Sequence, residues 1–278
     1  MTLLSTSKLL KQYLSNMHAN VVYADLSKVP GSWGNAEFVP DLHKFYFILD
    51  GEGTLTIDGV SYQPKPGQLF LLPAGVKQSL ATDSDNTFYK YWCHFSATIG
   101  DASLFDVLKT GVYIEAGDQE SISSLFRRMV DHYHSSDPLS AWQTQASLFE
   151  LLYAFFRQAG IAEVKLEGSF SHEKVMAVVS YMELHMAETV TVDELAKLVH
   201  LHPNYFSQLF KNMLGLSPLQ YLNRMRIEKA KSLLVHSLKS VTTISEEIGI
   251  ELHYFSRLFK LQTGFAPSDY RKMHGRKR

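Results

Sequence analysis

The sequence predicts an α+β chain of two domains. An N-terminal β-sandwich or barrel is followed by two helices, and an all-α C-terminal domain holds two helix-turn-helix units. Three observations predict it. Between Asn20 and Phe95 apolar residues recur with a period of two, and turn residues separate the runs. From Asp118 to Gly160 the period becomes helical. Beyond that, one pattern occurs twice, 49 residues apart. Tyr205-Phe206-Ser207-Gln208-Leu209-Phe210-Lys211 leads to Gly215, Pro218 and Tyr221; Tyr254-Phe255-Ser256-Arg257-Leu258-Phe259-Lys260 leads to Gly264, Pro267 and Tyr270.

In chain order, the first twenty residues are open to two readings. Leu10, Tyr13, Leu14 and Met17 have helical spacing, which fits either a short amphipathic segment or a loose terminus. Phe45-Tyr46-Phe47-Ile48-Leu49 is a dense apolar run ended by Asp50-Gly51-Glu52-Gly53. Thr54-Leu55-Thr56-Ile57 alternates into Asp58-Gly59, a strong hairpin turn. Pro66-Gly67 and Pro73-Ala74-Gly75 bracket Leu69–Leu72, and alternation resumes from Thr87 to Phe95. There Lys90, Trp92 and His94 share one face of a strand. Aromatic rings with a few polar groups suit a sugar, whose C–H faces stack while its hydroxyls need partners. Lys90 also suits an anion. The opposing reading has Trp92 in the core and Lys90 in solvent. Trp33, in a Pro-Gly-Ser-Trp-Gly loop, is a candidate lid.

Ile122, Leu125, Phe126, Met129, Val130 and Tyr133 form one helical stripe. Asp137-Pro138 opens a second helix, with Trp142, Leu148, Leu151, Leu152, Phe155 and Phe156. These helices either cover the β-domain or pair with a second subunit. Residues 161–172 read as a linker, so the sensor spans 1–160 (barrel about 20–100, helices about 118–160) and the C-terminal domain 173–278. That domain opens with a helix carrying Val175, Val178, Val179, Met182 and Met186.

Thr191-x-x-Glu194 is a capping box, with Val190 and Leu195 as its hydrophobic staple. A turn at His200–His202 and Pro203 at a helix start complete helix, turn, helix. In the second unit Ile244, Ser245 and Ile248 take the places of Leu195, Ala196 and Val199, and Gly249 supplies the turn. Between the units, Ser217-x-x-Gln220 opens a continuous helix over 218–235. At ~1.5 Å per residue it spans roughly 27 Å, enough to hold two helices in adjacent major-groove segments about 34 Å apart.

In each repeat Tyr205, Phe206, Leu209 and Phe210, or their counterparts, fall on one helical side. Asn204, Ser207, Gln208 and Lys211 fall on the other, as do His253, Ser256, Arg257 and Lys260. Such side chains read base edges and phosphates. One such face alone reads more simply as solvated; two on one scaffold favour recognition. The net charge of −1 hides an asymmetry: 15 Lys/Arg against 10 Asp/Glu in 173–278, and 12 against 18 in 1–172. The basic half is the candidate nucleic-acid binder. Arg271-Lys272 and Arg276-Lys277-Arg278 fit phosphate contact or a solubilising tail equally. Cys93 is the only cysteine, which excludes a disulfide framework and a thiolate metal cluster. No signal peptide or membrane-length apolar run is present, so a cytoplasmic protein is expected.

From about Glu173 to Met273 the chain resembles the DNA-binding domain of AraC/XylS-family transcription regulators. The resemblance rests on the repeat and on Arg226-x-x-x-Ala230-x-x-Leu233-Leu234. Ser245 and Ile250 depart from the family's usual Ala and Phe, and His202 stands where a Ser cap is common. Gly51-x-Gly53, Pro66-Gly67, Pro73-x-Gly75 and Tyr91-Trp92-x-His94-Phe95 resemble the family's cupin-type sensor domain. The resemblance implies a homodimer, an N-terminal arm over a ligand, and pocket residues at places matching Lys90, Trp92 and Asp50. Gln78 and His94 join that candidate set.

The resemblance also admits a rival, a cupin enzyme tethered to DNA. Metal cupins carry His-x-His and a later His after Pro-x-Gly. Here only His43 and His94 stand near those places, and Gln78 replaces the later His. His132-x-His134 and His200-x-His202 lack acidic or cysteine partners. No metal or cofactor is therefore expected. The expected function is a ligand-responsive activator of carbohydrate-utilisation genes, bound to double-stranded DNA as a dimer, with RNA polymerase as a further partner. A repressor answering to a non-sugar ligand is the alternative.

Overall fold

The structure, a computed structural model, describes residues 10–31, 34–82, 84–100, 102–164 and 170–274. Trp33 and the tail Arg276-Lys277-Arg278 lie outside them. The chain forms two compact units, Met17–Lys165 and Met1–Asn16 with Leu166–Arg278. In order, the elements are α1 (residues 10–15), β1 (Met17–Lys28), β2 (Gly34–Phe38), β3 (His43–Asp50), β4 (Thr54–Ile57), β5 (Val60–Tyr62), β6 (Gln68–Leu72), β7 (Gln78–Ala81), β8 (Tyr89–Ile99) and β9 (Ala102–Ser103). There follow α2 (Leu104–Val107), β10 (Leu108–Lys109), β11 (Tyr113–Glu115), α3 (Gln119–Tyr133), α4 (Ser140–Ala159) and β12 (Glu163–Val164). The C-terminal helices are α5 (Phe170–Leu184), α6 (Val192–Leu198), α7 (Pro203–Leu214), α8 (Pro218–His236), α9 (Val241–Glu247), α10 (Leu252–Thr263) and α11 (Pro267–His274).

In the β-rich unit one sheet runs β1-β8-β3-β6-β11, with β9 beside β8. A second sheet runs β2-β7-β4-β5. The period-two pattern has a direct meaning here. Even-numbered residues of β3 and β6 (Tyr46, Ile48, Phe70, Leu72) pack with Leu55, Ile57 and Leu80 of the second sheet. Odd-numbered residues face the helices: Phe45 lies against Phe155 of α4, and Phe47 stacks on Phe126 of α3 at 6.2 Å between centroids. Both faces of β3 are therefore buried, which is why its sequence reads as a continuous apolar run. Asp58 (φ 51°) and Gly59 (φ 77°) turn β4 into β5, the left-handed pair a two-residue hairpin requires.

Pro138 does not open α4. Asp137 Oδ1 accepts a hydrogen bond from Leu139 N–H at 3.0 Å, and the helix begins at Ser140. The stretch read as linker starts later than expected, because Glu163 and Val164 pair with Lys109 and Leu108.

The helical unit packs around aromatic pairs repeated with the sequence. Phe206 and Phe210 meet edge-to-face at 5.7 Å, and Phe255 and Phe259 do so at 5.5 Å. Tyr221 and Tyr270 close on Phe210 and Phe259. Arg226 of α8 donates to the carbonyls of Met186 and Glu188, fastening the long helix to the chain after α5. Residues 10–16 group with this unit, not with the β-rich unit in which sequence reading put them. Tyr13 is fully buried, and Gln12 Nε2 donates to Leu214 O at 3.0 Å at the end of α7.

Candidate nucleic-acid interface and candidate effector site

Each helix-turn-helix unit is set by local bonds. Thr191 and Glu194 form the predicted reciprocal cap on α6: Thr191 N–H donates to Glu194 at 2.8 Å, and Glu194 N–H donates to Thr191 Oγ1 at 3.3 Å. The Thr191 N–H, joined by the Thr191 hydroxyl, holds the Glu194 carboxyl below its ordinary range. In the second unit Ser240 accepts from Thr243 N–H at 3.0 Å and starts α9. The turns match as well: Leu201 N–H donates to Ala196 O at 2.9 Å, and Ile250 N–H to Ser245 O at 3.0 Å. Buried Ser245, where Ala is usual, satisfies its hydroxyl on Thr242 O at 2.7 Å.

His202 Nδ1 accepts from Asn204 N–H at the start of α7. Glu251 accepts from His253 and Tyr254 N–H at the start of α10, which holds its carboxyl low. Both helices end at left-handed glycines, Gly215 (φ 75°) and Gly264 (φ 81°). Between those ends Asn204, Gln208, Lys211, His253, Arg257 and Lys260 are exposed, and Ser207 and Ser256 are half-buried.

Two assignments change. Tyr205 and Tyr254, read as part of the apolar side, are 54% and 43% exposed and join the polar face. Arg257 lies over the Tyr254 ring at 5.5 Å. Gln208 Nε2 donates to Asn212 Oδ1 at 2.6 Å, adding Asn212, at the i+4 position, to that face.

The β-rich unit gathers a second cluster between its sheets. Lys44, Tyr46 and Ile48 of β3 face inward beside His94, Trp92 and Lys90 of β8, their register partners. Lys44 and Lys90 are only 5% and 3% exposed. Lys90 Nζ sits 3.9 Å from the Tyr46 ring centroid and 5.6 Å from that of Trp92. Lys44 Nζ lies 4.4 Å from the Phe38 ring and 3.4 Å from Gln78 Oε1. Gln78 Nε2 donates to Pro73 O at 2.7 Å, fixing the amide so that its oxygen faces Lys44. Trp92 Nε1 donates to Ser27 Oγ at 2.9 Å, holding the half-buried indole 5.0 Å from the His94 ring. Burial pulls Lys90 down to about 7, with Lys44 adding to the shift, and Lys44 down to about 8. Burial, then Lys44 and Lys90, lower His94 to about 4, so its imidazole is neutral at pH 7.

Lys90, Trp92, His94 and Gln78 thus come together, and Lys90 does not point to solvent. Asp50 stays apart. A register irregularity after Ile48 breaks the alternation, and Asp50 is exposed, accepting from Gly51 N–H at 2.7 Å. Sequence reading missed Lys44, Tyr46 and Phe38. The available signal was a lysine one step before an apolar run, in phase with Tyr46.

His43 and His94, the pair a metal enzyme would need, lie on opposite faces of the sheet. His43 accepts from Ala74 N–H at 2.8 Å and packs on Phe105 toward the helices, while His94 faces Tyr46 and Trp92. Among the described residues no group of three or more His, Cys, Asp or Glu could hold a metal ion. Nor is any helix among them long and apolar enough to cross a membrane.

A β-rich ligand-binding unit followed by paired helix-turn-helix motifs defines a DNA-binding transcription regulator, not an enzyme. Residues 36–152 match the model of an AraC-like ligand binding domain, and residues 195–273 match a helix-turn-helix domain model. The chain belongs to the AraC/XylS family. It is 24% identical over 209 residues to the lactose operon transcription activator of Staphylococcus xylosus, covering 73% of this chain and 74% of that one. It is 23% identical to the Msm operon regulatory protein of Streptococcus mutans, covering 85% and 86%. It is 28% identical to the raffinose operon transcriptional regulatory protein RafR of Pediococcus pentosaceus, covering 76% and 77%.

Proposed function

We propose that this regulator activates carbohydrate-utilisation genes in response to a small molecule held between the two sheets. The observation that carries the DNA-reading half is the pair of polar helix faces, equivalent position by position and joined by α8. Asn204, Ser207, Gln208, His253, Ser256 and Arg257 reach base edges in consecutive major grooves, while Lys211 and Lys260 contact phosphate. Relatives named for lactose and raffinose operons support a carbohydrate effector. Trp92 supplies a stacking face, with Lys90, His94 and Gln78 as polar partners, and an effector that prefers one of two arrangements of the chain shifts their populations.

The regulator acts as a homodimer in the cytoplasm. Trp142, Phe149 and Tyr153 support this: they recur along one side of α4 and are 72%, 37% and 67% exposed. RNA polymerase is the partner through which activation operates. The test is to incubate the full chain with a genomic fragment library, with and without sugars, and to sequence what is retained. The reading expects two half-elements one helical turn apart, upstream of sugar-utilisation genes. Uniform, salt-sensitive retention under every condition would overturn it.

A further inference from the structure

The two recognition helices hold their reading side chains in different ways. Gln208 and Arg257 occupy the same place in the repeat, 49 residues apart. Both are exposed, and each is engaged with a neighbour on its own helix. Gln208 Nε2 donates to Asn212 Oδ1 at 2.6 Å, one turn further along α7. The counterpart of Asn212 in α10 is Leu261, which is 81% exposed and has no side-chain acceptor. There the contact runs the other way along the helix: the Arg257 guanidinium lies 5.5 Å from the Tyr254 ring centroid.

Each contact restricts what its reader offers. A glutamine amide has two N–H donors and one carbonyl acceptor. In the major groove guanine presents two acceptors, N7 and O6, whereas adenine presents the acceptor N7 and the N6 donor. With one Nε2 hydrogen given to Asn212, Gln208 retains one donor and one acceptor. That set matches adenine and lacks the second donor that both guanine acceptors require. The attraction of an aromatic face is for the guanidinium charge as a whole. It limits where Arg257 goes without replacing its fork of donors, the set that pairs with N7 and O6 of guanine. Tyr254 is suited to be the fixed member, because a tyrosine has few side-chain torsions and an arginine many. Its backbone N–H is also held by Glu251 at 3.0 Å, in the first turn of α10.

We propose that Asn212 and Tyr254 are positioning residues for base readout: Asn212 restricts Gln208 to adenine, and Tyr254 presents Arg257 to guanine. This rests on the base reading assigned above to Gln208 and Arg257. Neither Asn212 nor Tyr254 has to touch a base. The two half-elements therefore differ although the motifs repeat, adenine being selected in one and guanine in the other.

The test uses the full chain and a random-sequence duplex DNA library, selected with and without sugars. Competition with single-base variants of the enriched sequence follows. Gln208→Ala and Arg257→Ala locate the base pair that each side chain reads; adenine is expected at the first and guanine at the second. Asn212→Leu, which copies Leu261, should lower the adenine-over-guanine preference at the Gln208 position about five-fold or more. Asn212→Asp keeps an acceptor at the same place, so it should retain that preference while weakening all sequences alike through phosphate repulsion. Tyr254→Leu should lower the guanine preference at the Arg257 position by a similar factor, and Tyr254→Phe, which keeps the ring, should not. Both positions are exposed, so melting temperatures should stay at the wild-type value. If Gln208→Ala and Arg257→Ala erase preferences that Asn212→Leu and Tyr254→Leu leave intact, the positioning roles are overturned and the base reading stands. Equal weakening of every sequence by Asn212→Leu or Tyr254→Leu would mark a backbone contact and overturn that residue's role. A base other than adenine at the Gln208 position, or other than guanine at the Arg257 position, would overturn the corresponding half. Preferences that survive both alanine variants, or no enrichment at all, would overturn the base reading and the proposal with it.

Discussion

His200 and Gly249 stand at the same place in the two motifs, and both hold the left-handed backbone, at φ 54° and φ 66°. They reach it at different cost. A Cβ on Gly249 would lie 2.2 Å from the Ala187 carbonyl oxygen, whereas His200 has room for its side chain. Gly249→Ala is expected to destabilise the DNA-binding unit by about 3 kcal/mol or more, through combined strain and collision. His200→Ala, which keeps the same backbone, should cost under about 1 kcal/mol. Thermal melts of the two variants compare them directly, and equal losses would refute the assignment of the collision to Gly249.

Arg257 and Lys260 share one face of α10 but should fail differently. Arg257→Ala should cost about 1–3 kcal/mol at one base pair and relax the preference there. Lys260→Ala should weaken all sequences alike and lower the salt slope of binding by about one. Competition with single-base operator variants at two salt concentrations distinguishes them.

The two inward lysines make the stability of the ligand-free protein depend on pH. The folded pKa of Lys90, about 7, lies below the ordinary lysine value because burial and Lys44 disfavour its charge. Between those two values the unfolded chain binds the extra proton, so this residue's contribution to stability rises with pH; below about 7 its full penalty is present. Lys44, Tyr46 and His94 face the same space. Cys93, buried with its thiol pushed up to about 12, acts in the opposite sense above its ordinary range. Lys90→Met should therefore be more stable than wild type at pH 7, and the difference should shrink toward pH 8.5. Urea titrations at the two pH values measure it. A constant difference would mean that Lys90 is charged throughout.

Trp142→Ser combined with Tyr153→Ser removes the two most exposed aromatics of α4. Sedimentation should show a shift from dimer to monomer with no loss of melting temperature. An unchanged dimer would place the subunit contact elsewhere.

Much of this was legible because local chemistry decided it. The repeat, its caps and its glycine stops fixed α6, α7 and α10, since each depends on residues within one turn. Alternation revealed that Lys90, Trp92 and His94 share a face, but not which face was inside. That depends on α3 and α4 covering the other side, a long-range fact. Lys44 is obscured for the same reason: in a strand buried on both sides its phase with Tyr46 marks a shared face, but not that this face lies between the sheets. Tyr205 was placed with the core because aromatic residues there usually pack; its exposure follows from its position at the rim of the stripe. Asp50 fell on the expected parity, and a register irregularity turned it out.

α8 also works as an angular gauge. Its 19 residues run unbroken between the motifs, and each residue of an α-helix turns the chain by about 100° while advancing it by ~1.5 Å. One alanine inserted near its middle would move the second recognition helix by little more than an atom's width, yet swing it more than a quarter-turn off the groove. Seven inserted residues would bring it back to within about 20° of its bearing but roughly 10 Å further along. Two spacer lengths can thus preserve the same aim with different stride, so operators with altered half-element spacing are reachable by changing this one helix while every side chain proposed to read bases stays as it is.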